Sequence, residues 1–124
     1  MLPDAGDIAW VELGETLGTE QYGRRPALIL TSLIYHEVAS RALICPITST
    51  DKPWASNVHL PAGLKTKGVV LLDQLRAVDR RHRMFDVIER IPQVTLIEVH
   101  RKLASLLGIE IVDLVAVGSG RESV

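Results

Sequence analysis

Glu20-Gln21-Tyr22-Gly23-Arg24-Arg25-Pro26 separates two strand-like runs, Ile8 to Leu13 and Ala27 to Thr31, and its reading decides the architecture. Pro26 fixes φ at the entry to the second run and biases Arg25 toward extended geometry. The first run, Ile8-Ala9-Trp10-Val11-Glu12-Leu13, has the β-branched and aromatic character of a strand. The second, Ala27-Leu28-Ile29-Leu30-Thr31, is continuously apolar, as a strand covered on both faces is. A loop held at both ends by strands is where a small β protein places its chemistry. This one carries an acid, a flexible glycine and two adjacent guanidinium groups, whose forked donors fit a phosphate. A solvated hairpin loop is the plainer reading of the same residues, and the neighbouring segments decide between the two.

Working outward, Ser32 to Ser40 is polar enough for a helical turn started by Ser32, and Arg41 to Ile47 forms a third strand, stopped or bent around Pro46. Thr48 to Pro53 is a hydroxyl-rich loop. Ser56 to Leu60 reads as a strand, Pro61 to Lys67 as a turn punctuated by Gly63 and Gly68, and Val69 to Leu72 as a buried strand with an alternating continuation to Val78. Arg80-Arg81-His82-Arg83 is a basic corner, followed by a short strand from Val87 to Ile91. Pro92 then suits the first turn of a helix in which Leu96, Val99, Leu103, Leu106 and Leu107 recur on one face, with Gly108 as its stop. Ile109 to Val117 is an added strand or a docked tail. Short strands, glycine turns and one terminal helix predict a mainly-β (α+β) fold, a small, strongly bent antiparallel sheet or barrel.

The chain has 124 residues, enough for one domain, with 47% hydrophobic and 23% charged residues, which excludes wholesale disorder. A net charge of −1 gives no global basic field, so any nucleic-acid partner must be held by local charge. The single cysteine, Cys45, lies in an apolar run and reads as a buried structural thiol. No leader-like basic and apolar start and no membrane-length apolar stretch is present, so a cytoplasmic protein is expected. His36, His59, His82 and His100 lack ligand spacing, no serine sits in a glycine elbow, and no phosphate-cradling glycine loop opens a helix. Neither a metal nor another cofactor is expected.

What remains is Arg25 at the head of one strand and Thr48 at the tail of another. If those strands pair antiparallel through their apolar centres, the two ends share one rim, where a guanidinium, a hydroxyl and the Glu20 carboxylate can meet one phosphodiester. A Thr48 hydroxyl that caps its own loop is the competing assignment.

Four blocks in order, Gly6-Asp7-Ile8-Ala9-Trp10-Val11, Glu20 to Leu28, Cys45-Pro46-Ile47-Thr48-Ser49 and Gly68 to Gln74, resemble the MazF/PemK/Kid toxin family from about Gly6 to Leu107, leaving 108–124 as an extra tail. The resemblance implies an SH3-like barrel with a C-terminal helix, a homodimer, and sequence-selective cleavage of single-stranded RNA. It also implies a cognate antitoxin whose acidic, flexible segment neutralises the toxin. By position, Arg25 and Thr48 match residues catalytic in relatives, Glu20 matches the acid of the first loop, and Asp73 the acid before glutamine. Thr19 stands where some relatives have a histidine, and Leu71 where some have a catalytic arginine, so the Arg/Thr version fits better than the Kid-like one. A CcdB-like toxin that poisons a DNA topoisomerase, or an inactive RNA- or antitoxin-binding module, is the alternative, and neither requires the Glu20, Arg25 and Thr48 set.

RNA carries its own nucleophile, the 2′-OH beside the scissile phosphate. Attack by that oxygen needs no metal, leaves a 2′,3′-cyclic phosphate, and leaves DNA inert. Arg25 suits stabilisation of the phosphorane better than proton abstraction. Glu20 is the better base chemically, whereas relatives point to the arginine, and the assignment stays open. Arg24, Lys65, Lys67, Asp73, Arg76, Arg80, Arg81 and Arg83 are expected to position RNA, with Tyr22 and Trp54 as stacking platforms and Trp10 in the core.

Overall fold

The computed structural model describes residues 2–15, 18, 20–50 and 55–110. In chain order it contains β1 (Asp7–Glu12), β2 (Arg24–Ile29), α1 (Leu33–Val38), β3 (Arg41–Thr48), β4 (Asn57–His59), β5 (Val69–Leu71), a 3-10 turn (Leu72–Gln74), β6 (Arg76–Asp79), α2 (Arg80–Arg83), β7 (Met84–Arg90) and α3 (Gln93–Leu106). The strands run in the order β4-β5-β3-β2-β1-β7, β6 joins along β3, and every pairing is antiparallel. The result is the expected mainly-β, barrel-like sheet with a C-terminal helix.

β3 is the hinge of this sheet. Its first half, Arg41–Ile44, pairs with β6, and its last two residues, Ile47 and Thr48, pair with Val70 and Val69 of β5. The exchange of partners falls at Cys45 and Pro46, where the proline has no N–H to give to a ladder. Pro46 therefore bends the strand without stopping it. Along the other edge, Ala27, Leu28 and Ile29 of β2 oppose Pro46, Cys45 and Ile44.

Side chains alternate across the strands and feed two hydrophobic clusters. Ile8, Leu28, Cys45 and Ile47 join Val58, Val70 and Leu72 beneath α3, while Ala9, Val11, Ala27, Ile29, Ala42 and Ile44 pack on the other side with Val78. The continuously apolar β2 is thus covered on both faces, as its composition predicts. From α3 come Leu96 and Val99, fully engaged, and Leu103, partly so. The predicted face extends further than the observed one. Past Lys102, whose ammonium donates to the Asn57 carbonyl (3.0 Å), the last turn borders only a shallow hollow beside Ala55 and Ser56. Leu106 and Leu107 remain exposed there, and Gly108 stops the helix at φ +74°.

Ser32 starts α1 as expected, its hydroxyl accepting from the Tyr35 amide at 3.3 Å. Three other expectations need correction. Arg24, Arg25 and Pro26 belong to β2 and not to the preceding loop, because they continue its pairing with Glu12, Val11 and Trp10 of β1. Asp73 and Gln74 sit in the 3-10 turn, so the strand expected through them begins only at Arg76. Trp10 is not core. It sits opposite Pro26 and is 40% exposed. Val69–Leu72 is buried as expected, so the apolar surface available for association lies elsewhere, at Ile34, Val38 and Val94. The assignment of the segment up to Val117 falls, from residue 111 onward, outside the described residues. Among the described residues no helix is long and apolar enough to cross a membrane.

Candidate active site

The β2–β3 pairing ends where Ala27 opposes Pro46, so Arg25, two residues before Ala27, and Thr48, two residues after Pro46, lie at the same end of the sheet. The ends of β2 and β3 therefore share one rim. Arg25 borders a hollow of about 380 Å³ whose other walls are Trp10, Pro26, Ile47, Ser49, Lys65, Thr66, Lys67 and Ile88. Three cationic residues of a chain with net charge −1 line this space together with Trp10. The guanidinium is steered from behind. Its Nε donates to the Tyr22 carbonyl at 3.2 Å, and its Cζ lies 5.8 Å from the centroid of the exposed Tyr22 ring.

Thr48 is buried, and its Oγ1 accepts the Thr50 amide at 3.2 Å. The hydroxyl thus organises its own loop. Gly68 presses on the same segment: a methyl built on it would overlap the Thr48 carbonyl oxygen and lie 2.7 Å from the carbonyl carbon. With φ at +117°, this position takes glycine on two counts.

Glu20 does not share the Arg25 hollow. It borders a second one, about 310 Å³, with Gln21, Pro46, Asp73, Gln74, Leu75 and Arg76. The Gln21 amide donates to Gln74 Oε1 at 2.8 Å and ties the loop to the 3-10 turn. The single site expected at the rim is therefore two hollows, and the loop carrying Tyr22 runs between them.

The basic residues also separate. Lys65 and Lys67 join Arg25, and Arg76 joins Asp73. The corner after β6 is set apart, because Asp79 opposes Arg41 at the start of β3 whereas Thr48 ends it, up to about 23 Å away at strand rise. There Arg80 is consumed structurally: its guanidinium donates to the carbonyls of His36 and Ala39 at 3.1 and 3.0 Å and closes the end of α1. Asp79 accepts from the Arg81 amide and the His82 ring, and the His82 bond followed by the Arg81 bond holds its carboxyl below the usual value. Arg83 reaches back to the Glu12 carbonyl at 3.4 Å. Arg24 is exposed at the first position of β2, opposite Glu12. Trp54 and Thr19 lie outside the described residues, and Leu71 is buried in β5. Cys45 is fully buried. Burial first, and then the Asp73 charge, push its thiol up to about 12, which rules it out as a nucleophile.

Reading the sequence missed the parts of the hollow that are not charged. Trp10, expected in the core, is one of them. Thr66 and Ile88 carry no local signal at all, since a long-range contact between a loop and β7 brings them together.

Fold and rim define a small barrel-like β fold with a cationic hollow at the meeting of β2 and β3. The model of the PemK-like, MazF-like toxins of type II toxin-antitoxin systems matches residues 4–107. The endoribonuclease toxin MazF of Escherichia coli K12 is 37% identical over 82 residues, covering 66% of this chain and 73% of that protein. The endoribonuclease PemK of Escherichia coli is 34% identical over 108 residues, covering 84% and 81%. The crystal structure of MazF from Deinococcus radiodurans superposes with a TM-score of 0.82 at 42% identity, covering 88% of this chain and 99% of that one. A MazE-MazF structure from the same organism gives 0.78 at 40% identity, covering 89% and 100%. The chain belongs to the family of PemK-like, MazF-like toxins.

Proposed function

We propose that this protein is a sequence-selective endoribonuclease toxin that cuts single-stranded RNA at the Arg25 hollow. The observation that carries the reading is the convergence of Arg25, Lys65 and Lys67 beside Trp10 at the β2–β3 rim. A phosphodiester needs fixed donors and an unpaired base needs a flat apolar wall, and this hollow offers both. The curated relatives named above are endoribonucleases, which supports the same reading.

In the reaction the substrate's 2′ oxygen attacks phosphorus, the O2′–P bond forms and the P–O5′ bond breaks. The products are a 2′,3′-cyclic phosphate and a 5′-hydroxyl, the proton passing from the 2′ oxygen to the leaving oxygen. Arg25 stabilises the charge that develops on the phosphorane oxygens, as a donor already aimed at the hollow. Thr48 acts through its loop, setting the backbone of Ser49 and Thr50 at the rim. Glu20, Asp73 and Arg76 line the second hollow and take an adjoining nucleotide, with Tyr22 on the ridge between as a stacking surface. The location of Glu20 argues against its serving as base at the phosphate held by Arg25.

One domain carries this activity in the cytoplasm, where its RNA is. It works as a homodimer that buries exposed apolar side chains such as Ile34, Val38 and Val94. Its regulator is a cognate antitoxin with an acidic segment that competes with RNA for the cationic hollow, as the MazE-MazF pairing of the Deinococcus protein suggests. The deciding experiment incubates the purified protein with end-labelled RNA in EDTA and maps the ends. Discrete cuts ending in cyclic phosphate are expected. Intact RNA, dependence on Mg²⁺, or cleavage of an all-DNA strand refutes the reading.

A further inference from the structure

The loop that brings Lys65 and Lys67 to the hollow has no secondary structure of its own, yet it is anchored at two points. At one end Gly68 lies flat on the Thr48–Ser49 backbone, and its carbonyl accepts the Leu60 amide at 2.9 Å. At the other, Glu89 of β7 receives the Lys65 amide on Oε1 at 2.9 Å and the Thr66 amide on Oε2 at 2.7 Å, so both carboxylate oxygens are used.

The reach of Glu89 depends on an irregularity in β7. Ile8 opposes Glu89 but Ala9 opposes Val87, so β7 carries an extra residue at this point, Ile88, the first of its two register shifts against β1. Neighbours on a regular strand face opposite sides. Here Ile88 lines the hollow with Lys65 and Thr66 while Glu89 bonds the amides of the same two residues. A bulge that turns consecutive side chains toward one loop produces this arrangement, and bulges recur beside active sites for that purpose. Partial burial works to raise the Glu89 pKa. The Lys65 and Thr66 amides, the Thr66 hydroxyl and the Lys65 charge outweigh it and hold the carboxyl below its usual value. A carboxylate committed to these donors has no part in proton transfer. It fixes shape.

We propose that Glu89 is a positioning residue for RNA binding, holding the 61–68 loop in the form that turns Lys65 and Lys67 toward the phosphate at Arg25. The proposal rests on reading that hollow as the RNA site. An amide nitrogen in place of one carboxylate oxygen would face a backbone N–H, so Glu89→Gln keeps the size and opens the clamp.

The test uses the full chain and an RNA oligonucleotide spanning a site mapped for the wild type, together with its analogue bearing a single 2′-deoxy at the scissile nucleotide. For Glu89→Gln the analogue should bind about 10-fold more weakly and KM should rise by the same factor, with kcat within about 3-fold, the pattern of lost uniform binding. Glu89→Asp, which keeps the charge, should recover part of the affinity. Amide hydrogen exchange at Lys65 and Thr66 should accelerate in Glu89→Gln, a readout independent of catalysis. If Glu89→Gln does not fold, Glu89→Asp carries the same measurements, with a smaller rise in KM expected. Unchanged affinity with accelerated exchange overturns the positioning role, unchanged exchange overturns the clamp, and a fall confined to kcat shows a catalytic role instead. An active wild type with an indifferent Glu89→Gln removes this proposal alone, whereas a wild type that neither binds nor cuts RNA removes the RNA reading beneath it.

Discussion

Replacing Gly68 with alanine tests how tightly the rim is built. The added methyl would overlap the Thr48 carbonyl oxygen and stand 2.9 Å from Ser49 Cα, and both obstacles are backbone, so no side chain can swing aside. Holding a non-glycine residue at φ +117° costs about 1–2 kcal/mol, and forcing one carbon into a packed contact adds about 1–3 kcal/mol. The sum, about 2–5 kcal/mol, is a large share of the 5–15 kcal/mol that holds a typical domain together. For a domain of this size each kcal/mol shifts the unfolding midpoint by roughly 4 °C, so Gly68→Ala should unfold about 8–20 °C below wild type. Circular dichroism melts at two protein concentrations, to separate unfolding from dissociation, measure it. Cleavage should also fall well below the melt, because relief of the overlap must move Thr48 or the 61–68 loop. A midpoint within 2 °C of wild type and unaltered cleavage would refute the account of this contact.

The remaining predictions follow from the same geometry. Arg25→Ala should fold normally and lose on the order of 10²-fold in kcat, the effect of removing one fixed donor to a developing oxyanion, and wild-type rates would dismiss Arg25 from the site. Native Cys45 should resist iodoacetamide at pH 8, since its thiol is pushed up to about 12, and react only on unfolding; rapid native alkylation would contradict its burial. Asp4, held low by the amides of Leu33 and Ala5, Asp79, held low by His82 and Arg81, and Glu89 all have depressed pKa values. A depressed carboxyl stabilises the fold above its ordinary value, 3.8 for aspartate and 4.5 for glutamate, and that stabilisation disappears as pH falls through the lower folded value. Melting temperature should therefore hold from neutrality to about pH 5 and drop below pH 4, and Asp4→Asn should flatten the drop; a rise on acidification would reverse the assignment.

Much of this was written locally in the chain. The apolar centres of β2 and β3 fix their register, and that register puts Arg25 and Thr48 at the same end of the sheet. Ser32, Pro92 and Gly108 mark helix boundaries through backbone preferences that need no tertiary partner. Long-range contacts explain the failures. In the run Arg80-Arg81-His82-Arg83, which reads as one basic patch, Arg80 turns to the end of α1 and Arg83 to β1, while Asp79 accepts from the backbone amide of Arg81 and the ring of His82. Glu20 and Arg25 are near in sequence and line different hollows, the Gln21 amide being tied to Gln74 of the 3-10 turn. The extra residue at Ile88 leaves no trace in the alternation of so short a strand, so neither Ile88 nor Glu89 could be connected with the loop around Thr66.

Pairing of β1 with β7 joins Asp7 to Arg90 across most of the chain. Contacts so distant in sequence form late, since their loop must close before they contribute. At about 5–20 residues per second, roughly 2–8 s separate synthesis of Thr48 from that of Arg90. In that interval β2 and β3 exist without β7, the edge strand beside β1, and the loop of Lys65 and Lys67 exists without Glu89. The nascent chain therefore carries its arginine and its lysines long before it has a finished site. The order of the strands therefore sets a delay of its own: the cationic residues that line the hollow are made first, and the strand that clamps their loop follows them.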